Sequence, residues 1–151
     1  MPEITPFLWF DGRAEEAMNF YLSVFKDGKV LNVGRKDGKV LVVTFELAGQ
    51  RFMALNAEPI FKFNESVSFF VNCEGQDEVD YYWNRLLEGG QESQCGWLKD
   101  KFGLSWQIIP SALMRLMGDP DPAKSKAVFD AMMKMKKIVV KDLESAYQKA
   151  A

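Results

Sequence analysis

The sequence predicts an α+β fold in which a βαβββ unit occurs twice, the two modules forming a curved mixed sheet with a C-terminal helical tail after them. Three observations predict it. Shifted by 62 residues, "FLWFDGRAEEAMNFYLSVFKDGK" from Phe7 falls on "FFVNCEGQDEVDYYWNRLLEGGQ" from Phe69, setting Phe7 on Phe69, Phe20 on Tyr82, Tyr21 on Trp83 and Gly28 on Gly90. Each copy opens with a short apolar run and continues with apolar residues at helical spacing. Hairpin signals then follow each helix. The organisation read from this is a first module over 1–60, a second over 61–110 and a tail over 111–151, together one structural domain.

The elements follow in order. Ile4 to Phe10 is an apolar run ended by Asp11-Gly12, and Val67 to Val71 one ended by Asn72, as buried strands running into turns are. Ala17, Phe20, Tyr21, Val24 and Phe25 fall at i, i+3, i+4, i+7 and i+8, and so do Val79, Tyr82, Trp83, Leu86 and Leu87, giving each helix one buried face. Glu15, Glu16, Asp77 and Glu78 occupy first turns, where negative charge offsets the helix dipole. Asp27-Gly28 and Gly89-Gly90 end the helices. Strands are expected at Lys29 to Arg35, Lys39 to Ala48 and Arg51 to Asn56, split by "KDGK" and "AGQ". In the second copy they are expected at Gln91 to Gln94, Trp97 to Lys101 and Ser105 to Ile109, with Gly103 in the last turn. This closing hairpin matches "LAGQRFMALN", with Gly49 on Gly103, Phe52 on Trp106 and Met53 on Gln107. Alternation sets Trp106 and Ile108 toward the helices and Ser105, Gln107 and Ile109 on the other face.

In the tail, Asp121 caps a helix whose first residue is Pro122, and Val128, Ala131, Met132 and Met135 form its apolar stripe. Ile138 to Val140 reads as a short strand, and Leu143, Ala146, Tyr147 and Ala150 as the stripe of a last helix. Methionine-rich faces pack adaptably, so the tail is expected to cover a module or a second subunit.

Composition excludes several functions. With 48% hydrophobic and 26% charged residues the chain has the make-up of a soluble domain. No run approaches the roughly 18 apolar residues of a membrane span. Met1-Pro2-Glu3 lacks a signal-peptide pattern, so a cytoplasmic location and reduced Cys73 and Cys95 are expected, although the two thiols are enough for one disulfide. Nineteen basic against twenty-one acidic residues leave a net charge of −2, which gives nucleic acid no electrostatic footing. "KMKKIVVK" from Lys134 reads as a solvated helix end and strand edge. The chain has no histidine, so any acid–base chemistry rests on Asp, Glu, Lys, Tyr or Cys.

Two βαβββ units resemble the vicinal oxygen chelate superfamily of glyoxalases, extradiol dioxygenases and bleomycin-resistance proteins. Within it, "ITPFLWFDGRAEEAMNFY", "VSFFVNCEGQDEVDYYWNRL" and "GWLKDKFGLSWQIIP" resemble the PhnB-like family, some of whose members carry the label 3-demethylubiquinone-9 3-methyltransferase. The resemblance implies a homodimer and a ligand cup. It also places metal-ligand positions, in members that use a metal, at Ile4 to Pro6, Ser66 to Ser68, Met53 and Gln107, where only Gln107 is a donor of the right kind. A metal-free, cofactor-free protein binding a small apolar or aromatic ligand is therefore expected, with no nucleic acid or membrane partner.

The candidate cup residues are Phe7, Trp9, Glu46, Met53, Ser68, Phe70 and Gln107, with Glu46 as the candidate general base should there be one. Taken singly, Phe7, Trp9, Phe70 and Trp106 each read more readily as plain core. The alternative function is an enzyme acting on a small metabolite with carboxylate or cysteine chemistry. Methyl transfer finds no support, since no glycine-rich loop of the kind that holds an adenosyl cofactor is present.

Overall fold

The computed structural model describes residues 1–150. They divide into two compact units, Met1–Lys62 and the residues from Phe63 onward. Each unit contains one βαβββ module and one four-stranded mixed sheet.

The first unit runs β1 (Phe7–Phe10), α1 (Ala14–Val24), β2 (Lys29–Lys36), β3 (Lys39–Leu47) and β4 (Gln50–Asn56). The sheet order is β1-β4-β3-β2, with β1 parallel to β4 and the other pairs antiparallel. Two-residue turns make both hairpins: Asp37 and Gly38 have φ of 54° and 77°, Ala48 and Gly49 of 49° and 81°. Positive φ at both central residues matches the right-handed twist of the flanking strands. The α1 face of the sheet holds the core. Tyr21, Val24, Val43, Phe45 and Ala54 are buried, and Phe45 stacks on both Tyr21 and Phe52 at centroid distances of 6.4 and 5.6 Å. Burial of each such large side chain is worth about 1.5–3 kcal/mol. Arg13 makes no side-chain cap for α1. Instead Asn56 at the end of β4 accepts from the Ala14 N–H at 2.8 Å and donates to the Val40 carbonyl at 3.1 Å, tying the helix start to the sheet.

The second unit runs β5 (Ser68–Cys73), α2 (Gln76–Leu87), β6 (Gln91–Glu92), β7 (Trp97–Lys99), β8 (Ser105–Pro110), α3 (Ser111–Met117), α4 (Pro122–Met132) and α5 (Val140–Lys149). Its sheet repeats the first, β5-β8-β7-β6, with β5 parallel to β8. Val79, Trp83 and Leu86 of α2 are buried, as are Leu98, Trp106 and Ile108 of the sheet. Trp106 and Ile108 thus take the helix side, as alternation predicts. The two glycines that end the module helices share a steric cause. A Cβ on Gly28 would meet the Glu46 carbonyl oxygen at 2.7 Å, and one on Gly90 would run into the Lys99 carbonyl oxygen, so in each module the glycine lets the loop press on a strand.

Four parts of the sequence reading change. The first strand begins at Phe7, and Ile4, expected within a buried strand, is 94% exposed. The strand expected at Ile138 to Val140 does not form. Ile138 is wholly buried, Val139 precedes α5, and the sheet-like contact lies earlier, where the Cys95 and Gly96 N–H groups donate to the Met135 and Lys136 carbonyls at 2.8 and 2.7 Å. The helix α3 was not foreseen: at seven residues it is shorter than the two-turn pattern from which helices are read. The strand β6 is cut to two residues, because the chain turns at Cys95 and Gly96 with φ of 60° and 85°.

The tail packs on its own module. Ile109 of β8 joins Leu113, Val128, Ile138 and Leu143 in one buried cluster, with Ala131, Met132, Met135 and Tyr147 around it. Asp121 caps α4 by accepting from the Ala123 N–H at 2.9 Å, as the Asp-Pro signal predicts. Gln76 at the start of α2 clamps the start of α5, donating to the Ile138 carbonyl at 3.0 Å and accepting from the Val140 N–H at 2.7 Å.

Candidate ligand-binding faces

In each sheet one face is covered by the module helix and the other is composed of the alternate residues. In the first module the register aligns Phe7 with Met53 and Met53 with Thr44, while Trp9 partners Leu55. These side chains lie opposite the buried set of Leu8, Phe10, Phe45, Phe52 and Ala54. Phe7 is 51% exposed. Trp9 is engaged locally, donating its indole N–H to the Glu58 carbonyl at 2.8 Å and meeting Phe61 edge-on at 5.0 Å. Glu46 also lies on this face, one row away, with Arg51 and Lys29 as its register partners. Its row is charged rather than apolar.

In the second module the matching row is Phe70, Gln107 and Trp97. Phe70 is 49% exposed, and Gln107, half-buried, donates to the Ser68 hydroxyl at 2.9 Å. The structure therefore brings Phe7 and Met53 together in one module and Ser68, Phe70 and Gln107 in the other. Trp97 belongs with the second group and was missed, although the hairpin pairing of "GWLKDKFGLSWQ" carries the signal. The next row runs Ser68, Ser105, Lys99 and Gln91. Lys99 stands where the first module has Glu46.

The register also corrects the repeat. Phe7 pairs with Met53 as Phe70 pairs with Gln107, so the strand equivalent of Phe7 is Phe70, not Phe69. Phe69 faces the helix side beside Trp106, their rings 5.5 Å apart. The helices keep the shift of 62, with Ala17, Tyr21 and Val24 buried like Val79, Trp83 and Leu86. One residue fewer separates β5 from α2 than β1 from α1, and that absorbs the slip.

The other candidate chemical groups are structural. Asp100 is 3% exposed and accepts from the Phe102 and Leu104 N–H groups and from the Trp106 indole, at 2.9, 3.1 and 2.9 Å. Cys73 and Cys95 are free thiols. Burial, and after it the charge of Glu78, pushes the Cys73 thiol up to about 12, which keeps it protonated and inert.

The positions that the sequence resemblance marks for metal ligands offer a poor donor set. Met53 offers a thioether and Gln107 a single amide oxygen, and the described residues contain no group of three or more His, Cys, Asp or Glu suited to a metal ion. No helix among the described residues is long and apolar enough to cross a membrane.

Two βαβββ modules, each with its first strand parallel to its last at one edge of the sheet, define the glyoxalase/bleomycin-resistance fold of the vicinal oxygen chelate superfamily. Residues 2–109 match the model of the family described as 3-demethylubiquinone-9 3-methyltransferase, and the chain belongs to that PhnB-like family. Among solved structures it is similar to a putative 3-demethylubiquinone-9 3-methyltransferase, PhnB protein, from Bacillus cereus. The two are 36% identical, with a TM-score of 0.68, over 73% of this chain and 100% of that one. A protein from Pseudomonas aeruginosa shares the fold at 21% identity and a TM-score of 0.61, over 73% of this chain and 98% of that one. The fosfomycin resistance protein FosX from Listeria monocytogenes, in a form complexed with Mn(II) and sulfate, shares it at 13% identity and a TM-score of 0.51, over 70% of this chain and 86% of that one. The search of curated proteins finds no match.

Proposed function

We propose that the chain is a metal-free small-molecule-binding protein of the PhnB-like family, which holds a small apolar or aromatic ligand on the sheet faces opposite its helices and works as a homodimer. The observation that carries this reading is the make-up of those faces: half-exposed phenylalanines, Phe7 and Phe70, stand beside Met53 in one module and the Gln107–Ser68 pair in the other. Apolar walls with a few fixed hydrogen-bonding groups suit a planar organic ligand. The donor set around Met53 and Gln107 supports binding without a metal. The family label of methyl transfer draws no support from the architecture, because each sheet has one parallel pair and lacks the doubly wound arrangement that cradles an adenosyl cofactor.

The test is a thermal-stability screen of the chelator-treated full chain against small aromatic compounds. Binding predicts stoichiometric stabilisation that grows with ligand concentration, without product. Turnover of any compound makes the protein an enzyme instead. A monomer in sedimentation removes the homodimer.

A further inference from the structure

One row of the first sheet has no hydrogen-bonding side chain left to offer. Trp9, Leu55, Val42 and Gly34 are register partners in turn across β1, β4, β3 and β2, on the side away from α1. The three side chains are half-buried. Their single polar group, the Trp9 indole N–H, already donates to the Glu58 carbonyl, which also accepts the Ile60 N–H at 2.7 Å. That turn brings the chain back to the β1 end of the row, where Phe61 meets the Trp9 ring edge-on and stays 63% exposed. The row is therefore walled by an aromatic corner at β1 and ends bare at Gly34 on the edge strand β2.

Gly34 calls for a reason. Glycine inside a strand weakens it, and marks a bulge, a tight bend, or the close approach of another backbone or a ligand. Gly34 is not among the glycines of positive φ, so its backbone conformation is open to other residues. The register slips beside it, but the extra residue there is Leu41 on β3. A Cβ at Gly34 would meet the Val42 carbonyl oxygen at 3.3 Å, a tight contact but a milder one than the 2.7 Å at Gly28. The reason left for a bare position is a ligand that passes over it.

Resting on the reading of these sheet faces as ligand faces, we infer that the first face selects an elongated, flat ligand of two or three fused aromatic rings, with one end against the Trp9–Phe61 corner and its polar end leaving past Gly34. Three strand spacings of about 4.8 Å make the row about 14 Å long, more than a single ring fills. The ring body is apolar, because a polar group on it would give up water and find no partner in the row. Gly34 sets the length that the face accepts, and Phe61 is the wall that positions the far ring.

The experiment is a calorimetric titration of the full-length chain with benzoate, 2-naphthoate and 2-anthroate, acids that grow by one fused ring at a time. Affinity should rise roughly fivefold or more with each ring, as apolar area is buried. In Gly34→Val the ratio of 2-anthroate to benzoate affinity should fall at least fivefold, because the added side chain closes the β2 end. An unfolded fraction lowers both affinities alike, so the ratio reports the length of the row even where valine destabilises the strand. Gly34→Ala, the smaller change, should move the ratio in the same direction. Phe61→Ala, at an exposed side chain, should weaken 2-anthroate. Benzoate binding as tightly as 2-anthroate, or a ratio unchanged in both Gly34 variants, overturns the inference while the ligand faces themselves stand. No binding by any of the three acids overturns it too, and the thermal screen of other aromatic compounds then decides the broader reading separately.

Discussion

Trp106 and Asp100 are joined across the last hairpin: the indole N–H donates to one carboxylate oxygen at 2.9 Å, while the other oxygen accepts the two turn N–H groups of Phe102 and Leu104. A single buried carboxylate thus fixes both the turn and the ring that fills the core against Phe69. Trp106→Ala should destabilise by roughly 3–5 kcal/mol, as an emptied aromatic site does. Trp106→Phe keeps most of the volume but strips Asp100 of a donor, and should cost about 1–3 kcal/mol. Urea unfolding of the two variants separates packing from hydrogen bonding, and equal losses would show that the Asp100 contact adds nothing.

Gln107 stands on the opposite face of the same strand. Its side chain donates one hydrogen bond to the Ser68 hydroxyl, so Gln107→Ala should lower stability by no more than about 1 kcal/mol. The same change should weaken any aromatic ligand found in the screen. A large drop in melting temperature with ligand affinity intact would assign Gln107 a purely structural part.

The two thiols should differ sharply in reactivity. Cys95 is half-buried in a turn, whereas Cys73 is 1% exposed and ionises only near 12. An aromatic disulfide reagent at pH 8 should titrate one thiol in the folded protein and two after denaturation. Stability follows the same shift. The unfolded thiol loses its proton near 9 and the folded one near 12, so the Cys73 contribution is intact below pH 9 and is lost progressively as pH rises toward 12. Cys73→Ala should flatten the decline of stability over that window, and parallel curves would contradict the assignment.

Gln76 tests the attachment of the tail. Gln76→Ala leaves the Val140 N–H and the Ile138 carbonyl without their partner and should cost about 1–3 kcal/mol. The Asp80 carboxyl beside it is held low by its hydrogen bonds from Lys137 and then Gln76, so Asp80→Asn should loosen the same junction. Hydrogen exchange should quicken at the amides of Val140 and Leu143 in both variants and stay unchanged at Phe45. Faster exchange at Phe45 as well would mean general destabilisation.

Much of this arrangement was legible in the sequence because it is written in periodicity. The stripes Ala17–Phe25 and Val79–Leu87, the Asp37-Gly38 turn and the Asp121-Pro122 cap each follow from local rules, and so does the phase of Trp106 against Gln107. What was lost had no local signature. The one-residue slip between Phe7 and its counterpart is masked because positions 69 and 70 are both phenylalanine, and either alignment keeps the apolar pattern. Ile138 to Val140 has the composition of a strand, but its backbone is claimed by the Gln76 side chain, and tertiary context overrode propensity. Among the cup residues, alternation gave the phase of Gln107 but left Phe7 and Phe70 open between core and cup, and it is the register that sets Phe7, Met53, Ser68, Phe70 and Gln107 on faces opposite the helices. The local capture of Trp9 by Glu58 and Phe61, and the ionic row around Glu46, depend on segments that only folding brings near.

The hydrogen bonds from Cys95 and Gly96 to Met135 and Lys136 carry a consequence for the order in which the chain matures as it leaves the ribosome. The first module has all its strand partners by Asn56 and is able to close while the rest is still being made. The second cannot: the loop before β7 and the face of Ile109 wait for segments some thirty to forty residues further on, through Leu143. A stalled or truncated chain would therefore present a finished first half and a second half with its apolar strand β8 uncovered. Chaperone capture of nascent chains should fall on that interval and cease once α5 has emerged.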